Sequence, residues 1–474
     1  MLYGLIIAGG AGTRLWPLSR TSLPKHLLPL HPSGVSLLAD TFARLARTIP
    51  AERIFIVTGA SCAAEVLAQA RLVAPGFSKD QLLVEPQGRD SAAAVLWGTL
   101  HVDALDPQAC AAVVWSDQLI GSPAEFDAAL LRAAQVAQGG ALAAVGIRPR
   151  RPDTHLGYIL YQPAAIDGAH RAERFIEKPD LETAQRLMAN GHCVWNAGIF
   201  VFHAGTLLSE FQRLAPELMD AFRRHERSEG GAKRWTLPET VQAIYSEAPK
   251  GSLDHLVLEK TDRLFVVPAE LEWNDMGTWD AVWRESVKDA SGNSVAGPVA
   301  LIGSSNCLVR AERRLVAVVG GKDLAVIETP DAVLVCDLGQ ASQVRELVEE
   351  LKKQGRQEVH THGYARRPWG TFTVLWEGAG FKVKELSIHP GQKLSLQSHR
   401  HRSEHWVVTH GELLLTRGEE VVRARSNSYL HVPAGVKHRI ENLGDEVARL
   451  IEVQLGSSVA EDDIVRYEDA YGRA

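Results

Sequence analysis

Cysteine is scarce and scattered in this sequence: Cys62, Cys110, Cys193, Cys307 and Cys336 are the only five in 474 residues, and no C-x-x-C pair occurs. A disulfide framework and a zinc knuckle are therefore excluded, and a reducing compartment is the natural home. An excess of basic charge is also lacking. Lys and Arg number 51 against 57 Asp and Glu, a formal charge of −6 with the two signs interspersed. No nucleic-acid partner and no membrane-seeking surface follow from that balance. No apolar run approaches the length of a membrane span, and there is no tandem repeat or low-complexity tract. The opening run Leu2–Ala8 lacks a basic leader and reads as a buried first strand, so a cytoplasmic protein is expected.

What is present is the composition of a soluble globular chain, 45% hydrophobic and 23% charged. Its length exceeds one ordinary core, so two or three domains are expected. From Leu5 to about Trp283 short apolar runs alternate with amphipathic stretches. Strands are expected at Arg53–Thr58, Ala111–Trp115 and Ala141–Ile147, with helices at Val35–Ile49, Ala60–Leu72 and Ala124–Gln138. Such alternation predicts an α/β unit with a mostly parallel sheet covered on both faces.

Small and polar residues at Lys288–Gly297 mark a first boundary. Short β-branched runs follow at Val299–Ile302, Leu315–Val319, Leu324–Glu328 and Val333–Asp337, closed by a charged helix at Ser342–Gln354. A second boundary falls at Gly355–Tyr364, and from Pro368 onward short strands punctuated by Gly and Pro predict an all-β barrel or sandwich. The expected division is 1–288, 289–355 and 356–474.

Directly after the first strand stands Gly9-Gly10-Ala11-Gly12-Thr13-Arg14-Leu15. Glycines there let backbone amides approach a phosphate closely. The dinucleotide fingerprint would need Gly at Leu15, and no G-K-[ST] follows, so both familiar alternatives fail. Trp16-Pro17-Leu18-Ser19-Arg20 and Pro24-Lys25 continue the segment, placing Arg14, Arg20 and Lys25 within reach of a polyphosphate. Here the chain resembles the nucleotidyltransferases that join a nucleoside triphosphate to a sugar 1-phosphate, in a Rossmann-like domain. The Leu-Trp-Pro-Leu-Ser-Arg version is similar to the mannose-1-phosphate guanylyltransferase branch.

Further matches follow in order. Glu85-Pro86-Gln87-Gly88-Arg89 resembles the base and ribose segment, so Glu85 and Gly88 join Gly9, Gly10, Gly12 and Thr13 as nucleotide-binding candidates. Phe175-Ile176-Glu177-Lys178-Pro179 resembles the sugar-phosphate motif, with Lys178 on the phosphate and Glu177 beside it. Trp195-Asn196-Ala197-Gly198 resembles the motif that places Asn196 at the hexose hydroxyls, near Gly157. Trp273-Asn274-Asp275-Met276-Gly277 resembles the late acidic motif. The resemblance implies GTP and mannose 1-phosphate as substrates and assigns Asp117 and Asp275 to a magnesium ion, which takes hard oxygen ligands. No protein nucleophile is needed; catalysis rests on positioning and charge neutralisation. His26, Asp90-Ser91, Gln118 and His155-Leu156 depart from the family pattern at positions bearing on base and sugar preference.

Seven of the 18 histidines fall between His389 and His438. Gly391, Gln397, His399, Glu404 and Gly411, then Pro433-Ala434-Gly435, His438 and Asn442, have spacings that resemble the two metal motifs of the cupin barrel. Gln397 and His399, two apart on a strand, leave it on one face. His401 shares that phase and is the rival ligand to Gln397. The nitrogen and oxygen set Gln397, His399, Glu404 and His438 suits zinc or another divalent transition metal. With Arg367-Pro368-Trp369-Gly370, Arg402-Ser403-Glu404-His405-Trp406 and Glu461-Asp462-Asp463-Ile464-Val465-Arg466, this region is similar to the phosphomannose isomerase domain of bifunctional type II enzymes. That resemblance implies a small β linker subdomain before a C-terminal cupin, and interconversion of hexose 6-phosphates with Arg402 and Arg466 on phosphate or enediolate. A homo-oligomer is compatible with it. Two other readings stay open: a transferase with a purely structural cupin, and a non-catalytic sugar-nucleotide binder.

Overall fold

A computed structural model describes every residue except 11, 32, 167, 226–237, 461–462 and 471–474. The chain forms two compact units, one of residues 1–311, 315–327 and 334–355, the other of residues 312–314, 328–333 and 356–474.

The first unit is organised by a nine-stranded sheet. Its strands are β1 (Leu2–Ala8), β2 (Ile54–Gly59), β3 (Leu82–Glu85), β4 (Cys110–Trp115), β6 (Leu142–Ile147), β7 (Tyr158–Ile166), β8 (Ala169–Ile176), β9 (Cys193–His203) and β10 (Leu264–Ala269), while β5 (Leu119–Ile120) pairs separately with β11 (Trp273–Asn274). The order is β3-β2-β1-β4-β9-β6-β10-β8-β7. Pairing is parallel from β3 through β4 and between β6 and β10, so only β8 and β9 run against the rest. Tyr3 through Ala8 are all buried, as a strand covered on both faces requires.

Helix α1 (Leu37–Leu45) starts two residues later than its periodicity predicts because the Ser36 Oγ accepts from the Ala39 amide at 3.1 Å and caps it. Helices α2 (Ala63–Val73), α3 (Ser91–Leu105) and α4 (Pro123–Gln138) follow. Residues Ala92–Leu100 of α3 are all buried, which leaves that helix no polar stripe to reveal it in the sequence.

After Glu285 come β12 (Ser294–Ala296), β13 (Val299–Ile302), β14 (Leu308–Ala311), β15 (Val316–Val319), β16 (Leu324–Thr329) and β17 (Ala332–Asp337). β12 pairs in parallel with β14, and β13 with β15, each with the strand one coil further on, around Cys307, Val309 and Val326. The helix Val344–Lys353 follows.

The second unit holds two antiparallel sheets. One contains β18 (Tyr364–Arg367), β19 (Gly370–Gly378), β20 (Phe381–Ile388), β22 (Arg402–His410), β25 (Tyr429–Val432) and β27 (Ala448–Gly456). The other contains β21 (Leu396–His399), β23 (Glu412–Arg417), β24 (Glu420–Arg425), β26 (His438–Glu441) and β28 (Ile464–Glu468). Trp369, Leu386, Trp406, Leu415, Ile440 and Leu450 belong to the core between them. All five cysteines are free, and among the described residues no helix is long and apolar enough to cross a membrane.

Candidate active sites

The transferase candidates gather beyond the carboxyl ends of β1 and β4, where parallel strands leave a crevice. Gly12 adopts φ +59, and a Cβ there would lie 2.3 Å from the Lys25 Cβ, so only glycine lets the loop close onto Lys25. Ser19 fixes the loop by donating from Oγ to the Gly12 carbonyl at 2.7 Å. Lys25, with a side chain 7% exposed, donates from Nζ to Asp117 Oδ2 at 2.9 Å and also to the Asp275 carbonyl. Pairing of Leu119 with Asn274 and of Ile120 with Trp273 is what carries Asp275 to Asp117 across some 150 residues of chain. One carboxylate, that of Asp117, thus meets the ammonium, and the backbone of Asp275 meets it from the other side.

Arg14 is half-buried at the end of the loop's first turn, with Thr13 inside that turn. Arg20 is placed differently: it is 1% exposed and its guanidinium lies 5.3 Å from the Trp16 ring centroid. A cation packed there braces the Trp16–Ser19 turn.

Because β9 runs against β4, with Val114 opposite Ile199, its early residues Asn196–Gly198 lie just past the end of β4. The Asn196 amide donates to the Gly157 carbonyl at 2.8 Å, and its side chain donates from Nδ2 to Asp254 Oδ1 at 3.3 Å. Lys178, itself at φ +48, donates to Glu177 Oε1. Burial, then the nearby Glu177 carboxylate, pushes Asp254 up to about 6. Asp254 thus joins Glu177, Lys178, Asn196 and Gly157, although no motif marks it in the sequence; it sits in the single turn Asp254–Leu258.

Gly9, Gly10 and Gly88 have open space where a Cβ would be. Glu85 instead turns inward, 8% exposed, with Oε1 buried and without a hydrogen-bond partner among the described residues. Gln87 and Arg89 each donate to the Tyr245 carbonyl at 2.6 Å, tying this segment to the helix Pro238–Glu247. Burial pushes the Glu85 carboxyl up to about 7 from 4.5, partly offset by the Tyr245 hydroxyl. A carboxyl whose folded value is raised contributes stability at low pH and loses it as pH climbs through the folded value. Glu85→Gln is therefore expected to melt higher than wild type near pH 8, with the gap closing towards about pH 5. Thermal melts across that range check it; a gap independent of pH contradicts it.

In the second unit His399, Glu404 and His438 converge, each at most 2% exposed. His399 Nε2 lies 2.9 Å from Glu404 Oε1, His438 Nε2 lies 3.5 Å from Glu404 Oε2, and the two Nε2 atoms are 3.1 Å apart. His399 Nδ1 donates to the Asp463 carbonyl at 3.2 Å and His438 Nδ1 to the Val436 carbonyl at 2.9 Å. With both protons committed to carbonyls, two lone pairs face each other across a carboxylate, an arrangement that a divalent cation completes. Burial holds His438 below the usual histidine range, the neutral form a metal needs. Burial works against ionising Glu404, while the charged Arg402 guanidinium, which donates to its Oε1, works for it.

Gln397 stands opposite His438 in the β21–β26 register, so the two share a face, while its Oε1 accepts from Ser395 Oγ at 2.9 Å. His401 is exposed and bonds through its backbone, its amide donating to Asp463 Oδ2 at 3.0 Å and its carbonyl accepting from the Ser457 amide at 3.1 Å. Arg402 is buried and donates to Glu404 Oε1 at 3.3 Å and to the Ala460 carbonyl at 2.7 Å. Arg466 pairs with Gln397 across β21–β28, and its Nε is buried with no hydrogen-bond partner among the described residues. Glu461 and Asp462 lie outside the described residues. Three further polar groups that no sequence motif marks, Lys384, Glu452 and Gln454, are also buried. Gln454 Nε2 donates to Glu404 Oε1 at 3.2 Å and to Glu452 Oε1 at 2.7 Å. Burial, then the Glu404 charge, raises Glu452.

The nucleotidyl transferase family model matches residues 3–292, more than half of the chain. The chain belongs to that family. Residues 297–351 match a MannoseP isomerase/GMP-like beta-helix domain, in keeping with the parallel coils, and residues 354–469 match the mannose-6-phosphate isomerase C-terminal domain. The xanthan biosynthesis protein XanB of Xanthomonas campestris pv. campestris is 39% identical over 99% of this chain and 98% of its own. The mannose-1-phosphate guanylyltransferase ManC of Salmonella typhimurium is 36% identical over 100% and 98%. Among solved structures, a Thermus thermophilus protein described as a mannose-1-phosphate geranyltransferase aligns at TM-score 0.65 and 36% identity, over 74% of this chain and 99% of that one. Nucleoside triphosphates and sugar phosphates are the substrates of this family.

Proposed function

We propose that this enzyme transfers GMP from GTP to mannose 1-phosphate, giving GDP-mannose and pyrophosphate, and that its C-terminal barrel interconverts fructose 6-phosphate and mannose 6-phosphate. Residues 1–288 are assigned the transfer, 356–474 the isomerisation, and 289–355 the β subdomain between them in sequence. The observation that carries the transfer reading is Lys25, held against both Asp117 and the Asp275 backbone beside the glycine loop. In this reading a phosphate oxygen of the sugar attacks the α-phosphorus while Arg14 and Lys25 neutralise the triphosphate and the backbone of Gly9, Gly10 and Gly12 cradles it. Asp117 and Asp275 would hold magnesium, which supplies charge neutralisation on the phosphates. Glu177, Lys178, Asn196 and Gly157 position the sugar phosphate.

In the barrel, His399, Glu404 and His438, with Gln397 on the same face, would hold zinc or another divalent metal that polarises the sugar oxygens. Arg402 and Arg466 bind the phosphate or the enediolate as a proton moves between C1 and C2. XanB and ManC, similar over nearly the whole chain, support a polysaccharide-precursor role, and a cytoplasmic site agrees with nucleotide substrates. Phosphorus NMR of the full chain with magnesium, GTP and mannose 1-phosphate tests the transfer. GDP-mannose and pyrophosphate are expected in equal amounts; folded protein that leaves both substrates unchanged sinks the reading.

A further inference from the structure

Gln118 follows Asp117 just beyond β4 and is 8% exposed, yet its Oε1 is buried with no hydrogen-bond partner among the described residues. Leaving an amide oxygen so placed is as unfavourable as losing a hydrogen bond, and native proteins seldom tolerate it without a ligand or water to supply the donor. The amide lies close against Gly198. Gly198 adopts φ +66, and a Cβ there would lie 2.7 Å from Gln118 Nε2, so the side chain lies flat against a backbone that only glycine can form. The Gly198 amide donates to Asn196 Oδ1 at 2.9 Å, and Asn196 reaches Asp254. Gln118 therefore spans from Asp117 to the Asn196–Gly198 turn.

The chemistry of the missing donor narrows the ligand. A phosphate oxygen only accepts and would leave Oε1 as it is, whereas a hydroxyl both donates and accepts and suits either end of an amide. Beside Asn196, the hydroxyl-rich substrate is the hexose. We propose that Gln118 hydrogen-bonds a hydroxyl of the sugar 1-phosphate and so helps set which sugar is accepted. The inference rests on the transfer reading above and goes beyond it by naming a sugar-selecting side chain.

The test compares full-length wild type, Gln118→Met (similar in length, without the amide) and Gln118→His (which keeps a polar partner). Each is assayed with mannose 1-phosphate and with its 2-, 3-, 4- and 6-deoxy analogues. Gln118→Met should lower kcat/KM for mannose 1-phosphate about 10-fold. One deoxy analogue should cost wild type a similar factor and cost the Met variant little further, with the KM for GTP unchanged. Gln118→His should recover part of the loss. Because the substitution removes an unpaired buried oxygen, Gln118→Met should melt no lower than wild type. The inference is overturned if no analogue distinguishes wild type from Gln118→Met. It is equally overturned if Gln118→Met melts lower and loses activity uniformly across the panel while Gln118→His recovers nothing. Wild type inert with every sugar 1-phosphate would instead overturn the transfer reading itself.

Discussion

Asp275→Asn lowers guanylyl transfer at least about a hundredfold and leaves hexose 6-phosphate isomerisation at the wild-type rate. The substitution is nearly isosteric and removes one of two carboxylates assigned to magnesium. Lys25 is indifferent to it, because Lys25 binds the Asp275 carbonyl and not its side chain. Asp117→Asn is a less clean experiment. It takes away the carboxylate that Lys25 Nζ meets at 2.9 Å, so it loosens a largely buried ammonium as well as the metal site. Asp117 is itself 32% exposed, which screens the pair and limits the added destabilisation to about 1 kcal/mol. Melting temperature separates the two variants: Asp275→Asn matches wild type, Asp117→Asn falls a few degrees. Excess magnesium restoring part of the Asp275→Asn rate supports metal loss as the cause. Equal loss of transfer and isomerisation in that variant would mean misfolding and would remove Asp275 from the proposed site.

His438→Ala empties the barrel of metal and stops isomerisation while transfer continues. His438 contributes one of two Nε2 atoms that meet Glu404, and its orientation is fixed by the Val436 carbonyl. A methyl group cannot replace it, so metal content should fall by about tenfold or more. His401→Ala is the matched control. That ring is exposed, and the residue bonds to Asp463 through its backbone, so its loss should leave metal and rate close to wild type. Elemental analysis and isomerase rates on the same preparations decide between them. Metal retained in His438→Ala but lost in His401→Ala would refute the ligand set.

The strands that could be read from the sequence are those with one dominant signal. Leu2–Ala8 is apolar throughout because both faces are covered, and β4 and β6 behave likewise. α3 escaped because burial on all sides erases the amphipathic period. In the barrel the convergence of His399, Glu404 and His438 was legible because histidine, glutamate and glycine at fixed spacing mark it. Lys384, Glu452 and Gln454 were not, since a lone inward polar residue on an alternating strand resembles an outward one. The clue lay in phase: Ala448, Leu450, Glu452 and Gln454 are buried in alternation along β27, so two polar residues continue the apolar phase. Asp254 and the β5–β11 pair depend on contacts between segments about 60 to 150 residues apart, which local pattern cannot record. Arg20 shows the opposite limit: proximity to Arg14 and Lys25 in sequence suggested a phosphate cation, and stacking on Trp16 buries it.

The central claim is guanylyl transfer to mannose 1-phosphate, and pyrophosphate release measured across GTP, ATP, UTP and dTTP with mannose, glucose and galactose 1-phosphates tests it most directly. GTP with mannose 1-phosphate should exceed every other pair in kcat/KM by at least about tenfold, magnesium being present throughout. A preference for UTP or dTTP with glucose 1-phosphate, or no release from any pair by folded protein, would contradict the account.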